Sequence, residues 1–265
     1  MTEADLLLLI AVILPPRALD VLGPVREERT IQTRYGTVGP VALRAPDHGP
    51  AVWVQPYSGM PGRTDPRATL LAAKQLGVQR VLNWDAVVAI NPVLGRGQPL
   101  IVTDYMDFTR HQPTTFFSEE GVSDISQVPP VCPQMTQALS RALPMAPGVV
   151  YLGVDGPRRE TQAEARLFRS WGADVAGQNL VPEISLAKEL ELCYAGLATV
   201  QAHSADRPQG HPSGELRQGL ELVMEQLPTF LAELQGPPTC DCAHHLNTAR
   251  GRGFLADNWW RERIE

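Results

Sequence analysis

The stretch that most constrains this chain runs from Gly156 to Val200, GPRRETQAEARLFRSWGADVAGQNLVPEISLAKELELCYAGLATV. Thr161 followed three residues on by Glu164 is a capping box, each side chain satisfying an amide that a helix start leaves bare. Ala163, Leu167 and Trp171 fall on one stripe behind it, and Gly172 is where a left-handed cap ends the helix. A short apolar run, ADVAG, and a turn, QNLVP, lead to a second helix with Pro182 at its first position and Glu183 in its first turn. Tyr194 to Val200 is apolar and reads as a buried strand. Strand ends beside helix N-termini are where open α/β proteins place ligands, so the segment predicts both a fold class and the neighbourhood of a site.

Further elements follow from local signals. Residues 30–56 read as short strands with turns, and Asp65-Pro66 as an N-cap and first-turn proline opening a helix that Gly77 closes after Leu76. Val78 to Ile90 reads as a strand, Pro133 opens a helix to about Leu143, and Glu215 to about Leu234 is a long helix with Pro228 inside it. Residues 205–213 are polar and read as an exposed loop; the tail ARGRGFLADNWWRERIE reads as a solvated terminal helix.

With 43% hydrophobic residues over 265, the chain can bury a large core. A net charge of −6 argues against a nucleic-acid partner. Leu6 to Leu14 is too short to span a bilayer and lacks the basic start of a secretion signal. It reads as a buried strand of a cytoplasmic protein with no membrane partner. Cys132 and Cys193 stand singly in apolar or helix-end contexts. Cys240, Cys242, His244 and His245 have the ligand chemistry of zinc, but their spacing is tighter than that of finger loops, so no metal is expected.

The Gly156–Val200 segment resembles the methylthioadenosine and purine nucleoside phosphorylase family, whose pattern is roughly GPRFET-AE, GADVVGMT-VPE, a helix, then CYA and a strand. The resemblance covers roughly residues 30–250 and includes a Cys-x-Cys pair before the last helix. It implies one α/β domain over residues 1–265, with a mixed central sheet flanked by helices. It also implies a homotrimeric pentosyltransferase, without cofactor, that exchanges a purine for phosphate at ribose C1′.

The same resemblance assigns site residues and shows where they differ. Phosphate contacts fall on Tyr57 and Ser58, in place of Arg-His, on Asp85 and Ala86, in place of Thr-Ala, and on Asn179. The Gly-rich loop after the first strand is replaced by Leu14-Pro15-Pro16-Arg17, where the prolines offer no amide protons. An ionised Asp85 within about 4 Å of a phosphate dianion would be repelled by several kcal/mol; the alternative reading turns it away or pairs it with Arg67. Gln178 replaces a ribose-packing methionine, and Arg159 replaces the aromatic that stacks on the base, beside Glu160. At the end of the last strand Ala202 and Ser204 fall on the base side, and His203 is a candidate acid for the leaving group.

Three functions stay open on these residues. The first is phosphorolysis of a purine nucleoside or of methylthioadenosine in an altered site. The second is hydrolysis, with Asp85 orienting water where phosphate once sat. The third is a degenerate member that binds a nucleoside-like ligand or partners an active paralogue.

Overall fold

The computed structural model describes residues 4–15, 17–46, 49–59, 64–117, 122–208 and 214–261. Pro16 and residues 209–213 of the polar segment lie outside them. The strands are β1 (Leu6–Ala11), β2 (Val25–Thr33), β3 (Gly36–Arg44), β4 (Val52–Pro56), β5 (Arg80–Ala89), β6 (Pro99–Phe108), β7 (Gly148–Val154), β8 (Val175–Gly177) and β9 (Cys193–His203). The helices are α1 (Pro66–Gln75), α2 (Pro133–Ala142), α3 (Gln162–Ser170), α4 (Glu183–Glu189), α5 (Glu215–Glu233) and α6 (Asn247–Gly251).

One mixed sheet runs β2-β3-β4-β1-β5-β8-β7-β6-β9. It also closes on itself, because β9 pairs parallel with β5 from Arg80↔Cys193 to Ala89↔His203 and antiparallel with β6. Five strands therefore form a ring, and β1 to β4 extend from it as an open wing. Leu70, Leu71, Ile184 and Leu186 of α1 and α4 pack on one face with Val81 and Val87. Met135, Leu139, Val223, Leu227 and Phe230 of α2 and α5 pack on the other with Leu82 and Trp84. Side chains alternate along β5, so Asn83 and Asp85 share the face of Val81 and Val87. Two polar groups are thus set into the apolar layer beneath α4.

The capping box forms with both halves present, and Gly172 ends the turn at φ 89°. The second helix begins one residue later than expected, with Pro182 as its N-cap. The first strand stops at Ala11, and Ile13 beyond it is 94% exposed. The tail departs from a solvated helix. Trp259 is buried against Phe116 and Phe117, with ring centroids 5.7 and 4.6 Å away, because two aromatic faces there offer apolar area that solvent cannot. Cys132 and Cys193 do not stand singly either. The start of α2, the start of β9 and the chain near residue 240 converge, so all four sulfurs lie within 4.8 Å of one another. Among the described residues, no helix is long and apolar enough to cross a membrane.

Candidate functional site

Where β1, β4 and β8 end against the middle of β5, a set of polar side chains converges. Asp85 is fully buried. Its Oδ2 accepts from the Tyr151 hydroxyl at 2.6 Å and from the Gln178 amide at 3.3 Å, and its Oδ1 accepts from Asn179 Nδ2 at 2.5 Å. Asn179 Oδ1 accepts from the Gly59 amide at 2.7 Å, and the Asn179 amide donates to the Tyr151 hydroxyl at 3.1 Å. Asn83 Nδ2 donates to the Asn179 carbonyl. The Tyr57 amide, held by the Ile10 carbonyl at 2.8 Å, places its ring so that the hydroxyl donates to Glu183 Oε1.

The electrostatics separate the two acids. Burial pushes the Asp85 carboxyl up to about 6, with the Tyr151 and Asn179 hydrogen bonds pulling it partly back. Burial pushes Glu183 up to about 8; the Tyr57 hydroxyl opposes this while the charges of Asp85 and Asp107 add to it. At pH 7 one buried acid is therefore mainly charged and its neighbour mainly neutral. Such a pair can hold and accept a proton at different points of one reaction. Tyr57 and Tyr151 are both raised, chiefly by burial, and remain phenols.

A second group lies further along the β5–β9 ladder, where Val88 pairs with Ala202 and Ala89 with His203. From Asp85 to Ala89 is four residues, or about 13 Å of strand. Arg159 Nη2 donates to the His203 carbonyl at 2.7 Å and to Glu160 at 3.2 Å, and Glu160 Oε1 also accepts from the Ala205 amide at 2.9 Å. Gln178 bridges the groups, its Nε2 donating to the Arg158 carbonyl at 3.1 Å. A cavity of about 270 Å³ opens beside them, lined by Glu160, His111, Asp155 and the stacked pair Phe108 and Trp171. Burial and the charges of Arg207 and Arg96 hold His203 below the ordinary histidine range, which works against the acid role expected for it.

The structure thus gathers Tyr57, Asp85, Gln178 and Asn179 in one place, with Ser58 between Tyr57 and the Gly59 amide. Arg159, Glu160, Ala202 and His203 form the second group. Ala86 points its side chain to the opposite face of β5 from Asp85, against the α2–α5 layer. Ser204 is fully buried and donates to Asp206 at 2.8 Å beside the Arg169–Asp206 ion pair, so its hydroxyl is spent on structure. Asp85 does not pair with Arg67, whose guanidinium instead bonds the N-cap carboxylate of its own helix, Asp65, at 2.8 Å. Three partners escaped the sequence reading. Asn83 and Asp85 alternate inside an apolar strand, a signal that could have exposed Asn83. Glu183 reads as a first-turn acid, and Tyr151 reads as one more residue of an apolar strand.

Known proteins resemble this chain in sequence and in fold. Residues 17–235 match the model of the phosphorylase superfamily. The chain is 33% identical over 244 residues to a probable S-methyl-5′-thioinosine phosphorylase of Methanopyrus kandleri, covering 86% of this chain and 94% of that one. It is 35% identical to the 6-oxopurine nucleoside phosphorylase of Pyrococcus furiosus over 68% of this chain and 74% of that one. Among solved structures, a methylthioadenosine phosphorylase from an antarctic soil metagenomic library superposes with a TM-score of 0.80 at 22% identity, covering 94% of this chain and 92% of that one. The fold is therefore that of an α/β nucleoside phosphorylase. The chain belongs to the phosphorylase superfamily.

Proposed function

We propose that this chain is a pentosyltransferase that cleaves the N-glycosidic bond of a purine nucleoside with phosphate, its substrates drawn from the 5′-methylthio and 6-oxopurine nucleosides that its relatives are named for. The observation that carries this reading is the convergence of Tyr57, Asp85, Gln178 and Asn179 where β1, β4 and β8 end against the middle of β5, with Arg159, Glu160 and His203 next along the same ladder. The sugar and the attacking group sit at the first cluster and the base at the second. A phosphate oxygen bonds to C1′ as the C1′–N bond breaks, and the electron pair leaves with the base. We place the working enzyme in the cytoplasm as a homotrimer, as the family resemblance implies.

Asp85 also favours a second reading. A buried carboxyl raised to about 6 is suited to take a proton from water near neutral pH, whereas the same charge repels a phosphate dianion. The test is a panel of S-methyl-5′-thioinosine, S-methyl-5′-thioadenosine, inosine and adenosine, each with and without inorganic phosphate, followed by chromatography of the free base. Phosphorolysis predicts phosphate-dependent release of base and pentose 1-phosphate, with a lower KM for phosphate in Asp85→Asn. Release in phosphate-free buffer that falls about 10²–10⁴-fold in Asp85→Asn transfers the assignment to hydrolysis. No release on any substrate, with a ligand-induced rise in Tm, overturns both and leaves a binding protein.

A further inference from the structure

The four cysteines are unrelated in sequence position and adjacent in space. Cys132 is the N-cap of α2, Cys193 is the first residue of β9, and Cys240 and Cys242 flank Asp241 at a single 3₁₀ turn. All four sulfurs lie within 4.8 Å of one another, with Cys132–Cys240 at 3.5 Å and Cys193–Cys240 at 3.3 Å. A tetrahedral zinc with Zn–S bonds of about 2.3 Å needs sulfur–sulfur edges of about 3.8 Å. The observed separations are close to that cage and well beyond the roughly 2.05 Å of a disulfide. None of the four is bridged.

The carriers of these sulfurs are fixed independently of any ion. The Cys132 amide donates to the Tyr194 carbonyl at 2.8 Å, the Cys193 amide to the Gln79 carbonyl at 2.9 Å, and the Thr239 amide to Gln134 Oε1 at 3.0 Å. A ligand set held by its supporting shell loses little entropy on binding. The charge is also provided for. Four thiolates around a dication leave a net charge of −2, and the buried Lys188 shares the wall of an adjoining cavity of about 520 Å³ with Cys132, Cys240 and Cys242.

We propose that Cys132, Cys193, Cys240 and Cys242 form a structural tetrathiolate site for a soft divalent cation of the zinc class. Binding forms four metal–sulfur bonds and releases the remaining thiol protons to solvent; no electron is transferred. The ion ties the C-terminal segment to the starts of α2 and β9. That segment reaches Trp259, which packs on Phe116 and Phe117. The two histidines of the Cys240–His245 stretch are not needed as ligands, because Cys132 and Cys193 complete the tetrahedron from elsewhere in the chain.

The test uses the full-length protein, purified without chelator under reducing conditions. Elemental analysis should give about one zinc per chain, and reconstitution with cobalt(II) should give the visible and charge-transfer bands of a tetrahedral tetrathiolate. Cys240→Ser, at the most accessible of the four, should lose stoichiometric metal and lower Tm. Should that variant fail to fold, the cobalt spectrum of the unmodified chain decides alone. Sub-stoichiometric metal with four freely reactive thiols and no cobalt spectrum overturns the proposal. So does an intact mass, taken on protein purified without reductant, that is lower by two hydrogens for each bond, which marks disulfides in place of a metal cage.

Discussion

Asp85 can stay charged in the apolar layer only because three donors reach it, and one of them depends on a residue with no side chain. Gly177 lies against both the Tyr151 hydroxyl and Asp85 Oδ2, and an added Cβ would collide with each. Gly177→Ala must therefore separate the phenol from the carboxylate or displace β8. We expect a loss of about 1–3 kcal/mol in urea unfolding, the usual cost of overpacking, together with loss of turnover. An unchanged midpoint would show that this hydrogen bond does not hold the site. The charge on Asp85 is also what most distinguishes this pocket from an anion cradle, since both ends of the Asn179 amide are already engaged within the protein.

Among the elements, α5 shows how a helix is held by close approach as well as by its apolar stripe. Its Gly219 touches the Gly97 carbonyl in the loop between β5 and β6, leaving no room for a methyl group. In an exposed helix Gly→Ala stabilises by about 1 kcal/mol. Here Gly219→Ala should destabilise instead, as read by thermal or urea unfolding, because the methyl must push α5 off the loop. A stabilised variant would mean the contact is slack. The opposite regime governs the start of α3, where everything is local. Arg158 and the Thr161 amide hold the Glu164 carboxyl down to about 2, so that cap stays charged through the working pH range.

At the scale of the whole molecule, the buried acids couple stability to pH. Glu183 titrates near 8 when folded against an ordinary 4.5, so between those values the folded state binds more protons than the unfolded chain. Its contribution is complete below about 4.5 and is lost as the pH rises through about 8. His203 and His245, lowered mainly by burial, act in the opposite sense below their ordinary 6.5. The comparison that isolates Glu183 is therefore Glu183→Gln against the parent chain. The variant should gain on the parent, by on the order of a few kcal/mol, between pH 5 and 8. Parallel curves of Tm against pH would refute the assignment of Glu183 as a buried neutral acid.

The sequence alone determined what depends on neighbours in the chain. The capping box at Thr161, the N-cap at Asp65, the proline start of α2 and the apolar run of β9 are decided within a few residues, and each formed as read. The resemblance along a long motif also implied that Asp85, Gln178, Asn179 and Tyr57 are neighbours, and the structure brings them together. Only the tertiary structure decided what those groups touch. Asp85 could have met Arg67, but strand alternation turned it toward Tyr151 and Asn179, while Arg67 was taken by its own cap. Cys132 and Cys193 carry no mark of each other or of Cys240 and Cys242, since their meeting depends on how β9 closes the ring and where the tail docks. Local propensity acts over one helical turn; the position of a buried charge or a sulfur is set by every element packed around it.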